Sequence, residues 1–177
     1  MLRVPTWLLS FFGLIFGLFH AVLGVIWIGS NEHPEVVAWA LVAYLCVLIP
    51  TVTVGESRAM PAWLALTNLL VCAAIPLVIN SQLDAGHLGD YATWYVLGVG
   101  TILGATAVRG RRRTAWIGLL ILVAEIAAWG GVASLASTGL PGVFSLLVTG
   151  HAVSLGVERA VKAARELNAK TIETAAS

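Results

Sequence analysis

Six long runs of apolar residues, separated by short polar connections, organise this 177-residue chain. A helix needs about 20 apolar residues to cross the hydrocarbon layer of a bilayer, with about 17 as a lower limit. Each run is long enough. The pattern therefore predicts an all-α integral membrane protein with six transmembrane helices, over residues 6–28, 36–54, 62–79, 91–108, 115–135 and 140–157.

The sixth run is followed by a polar segment that keeps the character of a helix. Residues 158–176 contain neither Gly nor Pro, and Glu158–Lys162 and Glu166–Lys170 have the i, i+4 spacing with the acid first, which stabilises a helix surface. An apolar side is predicted at Val157, Val161, Ala164, Leu167 and Ile172. A solvated helix of this kind is marginal alone and gains from a partner helix. We therefore divide the chain into a transmembrane domain, 1–157, and a cytoplasmic signalling or linker helix, 158–177, and we expect the natural protein to continue beyond Ser177.

The distribution of charge predicts the orientation of the six helices. All ten Lys and Arg residues fall before the first run, between the second and third, between the fourth and fifth, or after the sixth; the third of these groups is Arg109, Arg111, Arg112 and Arg113. The other three connections are acidic. Basic loops stay cytoplasmic, so both termini are predicted inside a bacterial plasma membrane. Because the basic residues are spread over four segments, nucleic-acid binding is not expected.

Composition and tryptophan placement agree with this interpretation. The chain is 59% hydrophobic and 11% charged, whereas charged residues make up about a quarter of a soluble domain. Trp side chains favour the headgroup layer, and six of them mark predicted helix ends: Trp7, Trp63 and Trp116 inside, and Trp27, Trp39 and Trp94 outside.

Four polar side chains within the predicted helices are candidates for sensing a ligand or a proton. Glu125, His151 and His20 are predicted at similar depths in the outer half of the bilayer, with Asn68 near the same level. An ionised carboxylate there costs about 2.5–3.5 kcal/mol, so Glu125 is expected to be protonated, paired or hydrated. We hypothesise a direct pair of Glu125 with His151. The alternative is a hydrogen-bonded cluster that only fixes helix packing, the role typical of an intramembrane Asn.

Other candidate sites are less specific. His33, Glu35, Asp84, His87 and Asp90 lie in the outer connections, where acid–His clusters can bind a metal or respond to pH, but are more often simply solvated. No cofactor is expected; axial haem ligation by His20 and His151 is the alternative. The pairs Gly13/Gly17 and Gly100/Gly104 have the small-xxx-small spacing that permits close helix approach. The sequence contains no nucleophile–base pair, P-loop or zinc-ligand spacing, so catalysis within this chain is not expected.

The segment from Val157 to Ser177, together with six spans and very short outer loops, resembles the membrane-spanning input region of actinobacterial sensor histidine kinases. The resemblance implies a homodimer, a kinase domain in cis beyond Ser177 and a response regulator as partner. It transfers no catalytic residue, since the phosphoacceptor and ATP-binding motifs do not occur in this chain. Histidine kinase activity would therefore depend on the continuation.

Three functions remain open at this point. The first is the sensory input module of a two-component system, which passes a membrane or extracellular signal through the sixth helix to the kinase. The second is an accessory subunit that packs against another membrane protein. The third is a small transporter, against which stand the lack of mid-span helix breaks and of a second copy of a three-helix half.

Overall fold

A computed structural model describes residues 6–53, 60–83 and 93–176, with side chains within 10–53, 60–83 and 93–172. Every regular element in those ranges is a helix, which confirms the all-α prediction. In chain order they are α1 (Thr6–Ile26), a 3-10 helix (Ile28–Ser30), α2 (Pro34–Thr53), α3 (Ala62–Asn80), α4 (Trp94–Val108), α5 (Arg112–Gly130), α6 (Ser134–Ser137) and α7 (Leu140–Ala176).

Four of these helices are long and apolar enough to cross a membrane. They are α2, α3, α5 and the part of α7 between residues 140 and 172. Residues 10–26 of α1 and the 15 residues of α4 form shorter apolar helices. The large apolar side chains left exposed on α1, α2, α3 and α5, such as Phe12, Trp39 and Leu120, are those expected on a lipid-facing surface. These features are those of a membrane protein.

The centre of the bundle is α4. It packs against α1, α2, α3, α5 and α7, and most of its residues are buried. A helix that is apolar on all sides is expected in such a central position. Tyr95, Val99 and Ile102 are fully buried on α4, and Tyr44 from α2 and Val143 from α7 join them in one continuous core.

Glycines allow α4 and α7 to approach closely. A Cβ at Gly100 would collide with Val143, and a Cβ at Gly150 would lie 2.7 Å from the carbonyl oxygen of Gly104. On the other side of the bundle, Gly17 faces Leu48 of α2 in the same way. The predicted packing role of the small-xxx-small pairs is therefore confirmed, because such spacing removes the side chains that would hold two helices apart.

The carboxyl-terminal end of α5 differs from its predicted position. The helix ends at Gly130, not at residue 135, because Gly131 adopts φ 77° and breaks the right-handed backbone. A separate short helix, α6, follows, and Gly139 with φ 83° leads into α7. At its other end α5 begins at Arg112, three residues before the predicted start.

One tryptophan also differs from expectation. Trp94 is only 4% exposed and contacts the ring of Tyr44, with the ring centroids 5.7 Å apart. It fills space next to Gly24, where a Cβ would lie 2.7 Å from its indole ring. Trp94 is thus a core residue and not part of an interfacial belt, whereas Trp39 and Trp63 are 74% and 66% exposed.

Candidate functional site

Glu125 lies in an open surface depression between α3 and α5, called the Glu125 cavity below. The cavity has a volume of about 430 Å³ and is lined by Leu77, Asn80, Ala124, Glu125, Ala128 and Trp129. Glu125 is half-buried, and its Oε2 atom has no hydrogen-bond partner in the part of the chain that the structure describes. A buried polar atom without a partner carries a free-energy cost, which a bound proton, cation or water would relieve.

The surroundings of Glu125 supply polar groups at one end of the cavity. The hydroxyl of Tyr95 donates a hydrogen bond to Oδ1 of Asn80, so the Asn80 side chain is held in place by the core. The indole N–H of Trp129 donates to the carbonyl oxygen of Leu83 at 3.3 Å, which fixes the ring at the cavity wall. A carboxyl group, an amide and an indole ring therefore line the same depression among apolar side chains. Such a site suits a proton or a small cation.

His151 does not meet Glu125. Its Nδ1 atom accepts a hydrogen bond from Nε1 of Trp116 at 3.1 Å, and the two rings are in edge-to-face contact. Trp116 precedes Glu125 by nine residues, or roughly 13 Å along the axis of α5. The hypothesised direct pair of Glu125 and His151 is therefore wrong. The relative positions were predicted wrongly because α5 ends at Gly130, so Glu125 lies closer to the carboxyl-terminal end of the helix than the sequence indicated.

A second polar contact joins α5 and α7, the helices that carry Trp116 and His151. Nη2 of Arg112 lies 3.1 Å from Oε2 of Glu158. Arg112 and Trp116 are one turn apart on α5, and His151 and Glu158 are two turns apart on α7, so each pair occupies one face of its helix. We call these two contacts, Arg112–Glu158 and Trp116–His151, the α5–α7 clamp.

The other two intramembrane candidates lie elsewhere. His20 is 3% exposed; its Nδ1 lies 2.8 Å from the carbonyl oxygen of Phe16, and its ring contacts Phe16 and Phe19 on the same helix. No hydrogen bond or ion pair joins any two of Glu125, His151, His20 and Asn68, all of which the structure describes. The four polar side chains that were predicted to lie at a similar depth therefore do not form one site.

Asn68 instead joins three helices. Its Nδ2 donates to the hydroxyl of Thr51 on α2 at 2.8 Å and to the hydroxyl of Thr106 on α4 at 3.0 Å. Its Oδ1 lies 3.0 Å from the Thr51 hydroxyl, and Thr106 also donates to the carbonyl oxygen of Ile102. Asn68 is fully buried with its polar atoms satisfied. These contacts are those of a residue that fixes helix packing.

The outer-loop candidates are described only in part. His33 and Glu35 form a contact of 3.3 Å between Nδ1 and Oε1, with both side chains largely exposed. The backbone N–H of Glu32 donates to the carbonyl oxygen of Gln82, so the first outer connection lies beside the end of α3. Asp84, His87 and Asp90 lie outside the described residues. Within the described ranges no group of three or more His, Cys, Asp or Glu side chains could hold a metal ion.

The basic connection between α4 and α5 contributes to packing as well as to charge. Nη2 of Arg109 donates to the carbonyl oxygen of Val52 at 2.7 Å, and Nε of Arg111 donates to that of Met60 at 2.7 Å. Both arginines therefore join the connection between α4 and α5 to the end of α2 and the start of α3. Sequence reasoning missed this role and missed the clamp. The only signal was spacing: residues 112 and 116 on one helix, and 151 and 158 on the next, share faces.

Comparison with known proteins places the chain in a family. Residues 10–155 match the sequence profile of a domain family of unknown function, DUF8320. The chain belongs to this family. The DUF8320 domain comprises α1 to α6 and the part of α7 that packs in the bundle, and it includes Glu125 and His151. No curated protein and no solved structure matches the chain.

Proposed function

We propose that this DUF8320 protein is a sensory input module of the bacterial plasma membrane, with six transmembrane helices and both termini in the cytoplasm. A signal acts at the Glu125 cavity, and α7 passes the response to a cytoplasmic signalling domain. A sensor histidine kinase of a two-component system is the output that fits the resemblance of the segment after Val157. The active form is a homodimer.

The observation that carries the proposal is the continuity of α7. Its first half is in the core, where Val143 and Leu147 are fully buried against the rest of the bundle. It then continues to Ala176 without a break, and the four large apolar side chains of this second half stay 44–70% exposed: Val157, Val161, Leu167 and Ile172. An exposed apolar side on a solvated helix favours a partner helix. A rigid helix that reaches from the core to such a surface is suited to transmit movement.

The clamp gives the cavity a physical connection to α7. Glu125 lies near the outer end of α5, and Arg112 and Trp116 contact α7 near the inner end of the same helix. A change in the tilt of α5 caused by binding at Glu125 would change the position of Glu158, where α7 leaves the bundle. An input can shift a two-state equilibrium only if it interacts differently with the two states. The unpartnered Oε2 of Glu125 supplies such a difference, because a bound proton or cation would give this oxygen a partner in one of the two states of the bundle.

Cysteine cross-linking in membranes tests this proposal. In a background with Cys46→Ser and Cys72→Ala, Val161→Cys places a thiol on the apolar side of α7, and Arg159→Cys places one on the opposite side at nearly the same depth. We expect Val161→Cys to form a disulfide-linked dimer faster than Arg159→Cys. Adding Glu125→Gln should change the Val161→Cys rate, whereas Leu120→Met, a neutral change on the lipid-facing side of α5, should leave it unchanged.

Two results would contradict the proposal. Equal cross-linking at both positions would contradict a dimer formed through the apolar side of α7. A Val161→Cys cross-linking rate that is unchanged by Glu125→Gln would contradict Glu125 as the input site. If Val161→Cys stays monomeric and reacts slowly with a thiol reagent in native membranes but quickly after purification, another protein covers the apolar side. That outcome would favour the accessory-subunit function.

A further inference from the structure

An open groove lies at the inner end of the bundle, between the start of α5 and the middle of α7. Its volume is about 770 Å³, and it is lined by Arg111, Arg112, Arg113, Trp116, His151 and Leu155 among others. We call it the inner groove. It is separate from the Glu125 cavity, because none of the residues that line the cavity lines the groove.

The arginines of the inner groove keep unused hydrogen-bond donors. Arg111 donates through Nε to Met60, but Arg112 makes its ion pair with Glu158 through Nη2 alone. Nη1 of Arg112 is buried and has no partner within the described ranges. Arg113 is exposed, and the described part of the chain offers it no ion pair. Three guanidinium groups therefore face the groove with Glu158 as their one carboxylate contact in the described structure.

The other side of the groove is apolar and continues onto the lipid-facing surface. Trp116, Ile117 and Leu155 line it, and the Trp116 ring contacts Phe144 with the ring centroids 5.9 Å apart. Ile117 and Phe144 are 49% and 53% exposed. A molecule in the groove would thus meet cations at one end and a surface suited to hydrocarbon at the other.

We propose that the inner groove binds the phosphate group of an anionic membrane lipid. Arg112 and Arg113 donate charge-assisted hydrogen bonds to the phosphate oxygens, and the acyl chains lie along Trp116, Ile117 and Phe144. The cytoplasmic leaflet, where the proposed topology places these arginines, carries the anionic lipids. An arginine that only set the topology would keep its donors in water. Nη1 of Arg112 has left water without gaining an acceptor in the described structure, and a rotation of the guanidinium toward the groove would give it a phosphate oxygen as that acceptor.

Native mass spectrometry of the purified chain tests this inference. The probes are dioleoyl phosphatidylglycerol, dioleoyl phosphatidylcholine and inorganic phosphate. We expect one phosphatidylglycerol to stay bound per chain, with phosphatidylcholine binding more weakly. The double variant Arg112→Gln/Arg113→Gln should weaken phosphatidylglycerol binding about a hundredfold, since each of the two lost charge-assisted hydrogen bonds contributes about tenfold. The charge-matched control, Arg159→Gln/Arg165→Gln on the exposed part of α7, should bind as the unmodified chain does.

The single variant Arg113→Gln changes an exposed side chain and keeps the test valid if the double variant does not fold. It should weaken binding by a smaller factor in the same direction. Unchanged affinity in the Arg112/Arg113 variants, or an equal loss in the Arg159/Arg165 control, would overturn the inference. Displacement of the lipid by excess inorganic phosphate would also overturn it and assign the groove to a soluble anion. The measurement does not involve Glu125 or cross-linking of α7, so its failure is distinct from failure of the signalling proposal.

Discussion

Asn68 and Glu125 are both polar residues in apolar stretches, but their surroundings in the bundle differ. Asn68 has a hydroxyl partner on each of two neighbouring helices, and its polar atoms are satisfied. Glu125 faces a cavity, and its Oε2 has no partner in the described structure. A satisfied polar residue stabilises the packing of helices, whereas an unsatisfied one costs stability and is retained where function needs it. The distinction indicates packing as the role of Asn68 and supports the proposed sensing role of Glu125.

Replacing Asn68 by Leu should destabilise the bundle. The change leaves the buried hydroxyl of Thr51 without its hydrogen-bond partner and removes the Asn68 donor from the hydroxyl of Thr106. We therefore expect the free energy of unfolding to fall by about 1–2 kcal/mol. Reversible unfolding in mixed detergent micelles would measure it. Thr67→Val is the matched control, because the Thr67 hydroxyl bonds only the carbonyl of Trp63 in its own helix. Equal losses in the two variants would contradict the joining role of Asn68.

Gly150→Ala should separate α4 from α7. The new methyl group would lie 2.7 Å from the carbonyl oxygen of Gly104, a backbone atom that cannot move without moving its helix. We expect a loss of about 1–3 kcal/mol, the usual cost of overpacking. Gly156→Ala on the same helix meets nothing within 4 Å and should be neutral or slightly stabilising, since Ala favours a helix over Gly. Thermal unfolding of both variants would compare them. A stable Gly150→Ala protein would rule out the close contact.

At the scale of the element, α5 and α7 are antiparallel helices joined by two polar contacts near the start of α5. The helical repeat explains why both contacts form together: residues 112 and 116 on α5, like 151 and 158 on α7, project from one face. Arg112–Glu158 lies where α7 leaves the bundle. A contact at that point influences the direction of the exposed half of α7 more than one deep in the core would.

Reversing one charge of this pair should loosen the exposed half of α7. Glu158→Arg places two guanidinium groups together, and Arg112→Glu added to it restores an ion pair with its polarity exchanged. The pair is partly exposed, so its effect on stability is below about 1 kcal/mol. We expect faster amide hydrogen exchange just beyond residue 158 in the single variant and recovery in the double variant.

Glu166→Lys serves as the control for this experiment. It disrupts the exposed Lys162–Glu166 contact within α7 and should not alter exchange near residue 158. If the double variant exchanges as fast as Glu158→Arg alone, the clamp does not position α7.

For the whole molecule, α4 organises the bundle. It is among the shorter apolar helices, but the other long helices surround it. Lipid tails provide no hydrophobic drive for helices to associate, so close packing at Gly100 and Gly150 and the hydrogen bonds of Asn68 hold the bundle together. The exposed apolar side chains then lie on the outer helices, and the basic connection lies at one end with the groove beside it.

The proposed topology can be tested on intact cells. Val132→Cys, in the connection after α5, is 77% exposed in the unmodified chain and should react with a membrane-impermeant maleimide. Ala163→Cys, on the extension of α7, should react only after the membrane is permeabilised. Both variants use the background without Cys46 and Cys72. Labelling of Ala163→Cys in intact cells would contradict cytoplasmic termini, and the lipid proposal for the inner groove would fail with it.

Helical structure and membrane character could be predicted from the sequence because both depend on local properties. Within a bilayer the backbone must satisfy its hydrogen bonds inside each segment, so a sufficiently long apolar run becomes a helix wherever it occurs in the fold. The close packing at Gly17 and Gly100 also followed from local spacing. The position of Trp94 did not, because an indole near a helix end can face either the headgroups or a neighbouring helix.

Only the tertiary structure decided which polar side chains meet. The structure ends α5 at Gly130, five residues before the predicted end at residue 135, so Glu125 lies roughly 7 Å closer to this end of the helix than predicted. This difference is enough to separate Glu125 from His151. Helix rotation and mutual depth depend on every packed neighbour at once, and no single segment contains that information. The sequence by itself therefore determined the helices and the charge asymmetry of their connections. The assembled bundle determined the Asn68 hydrogen bonds, the Glu125 cavity, the clamp and the inner groove.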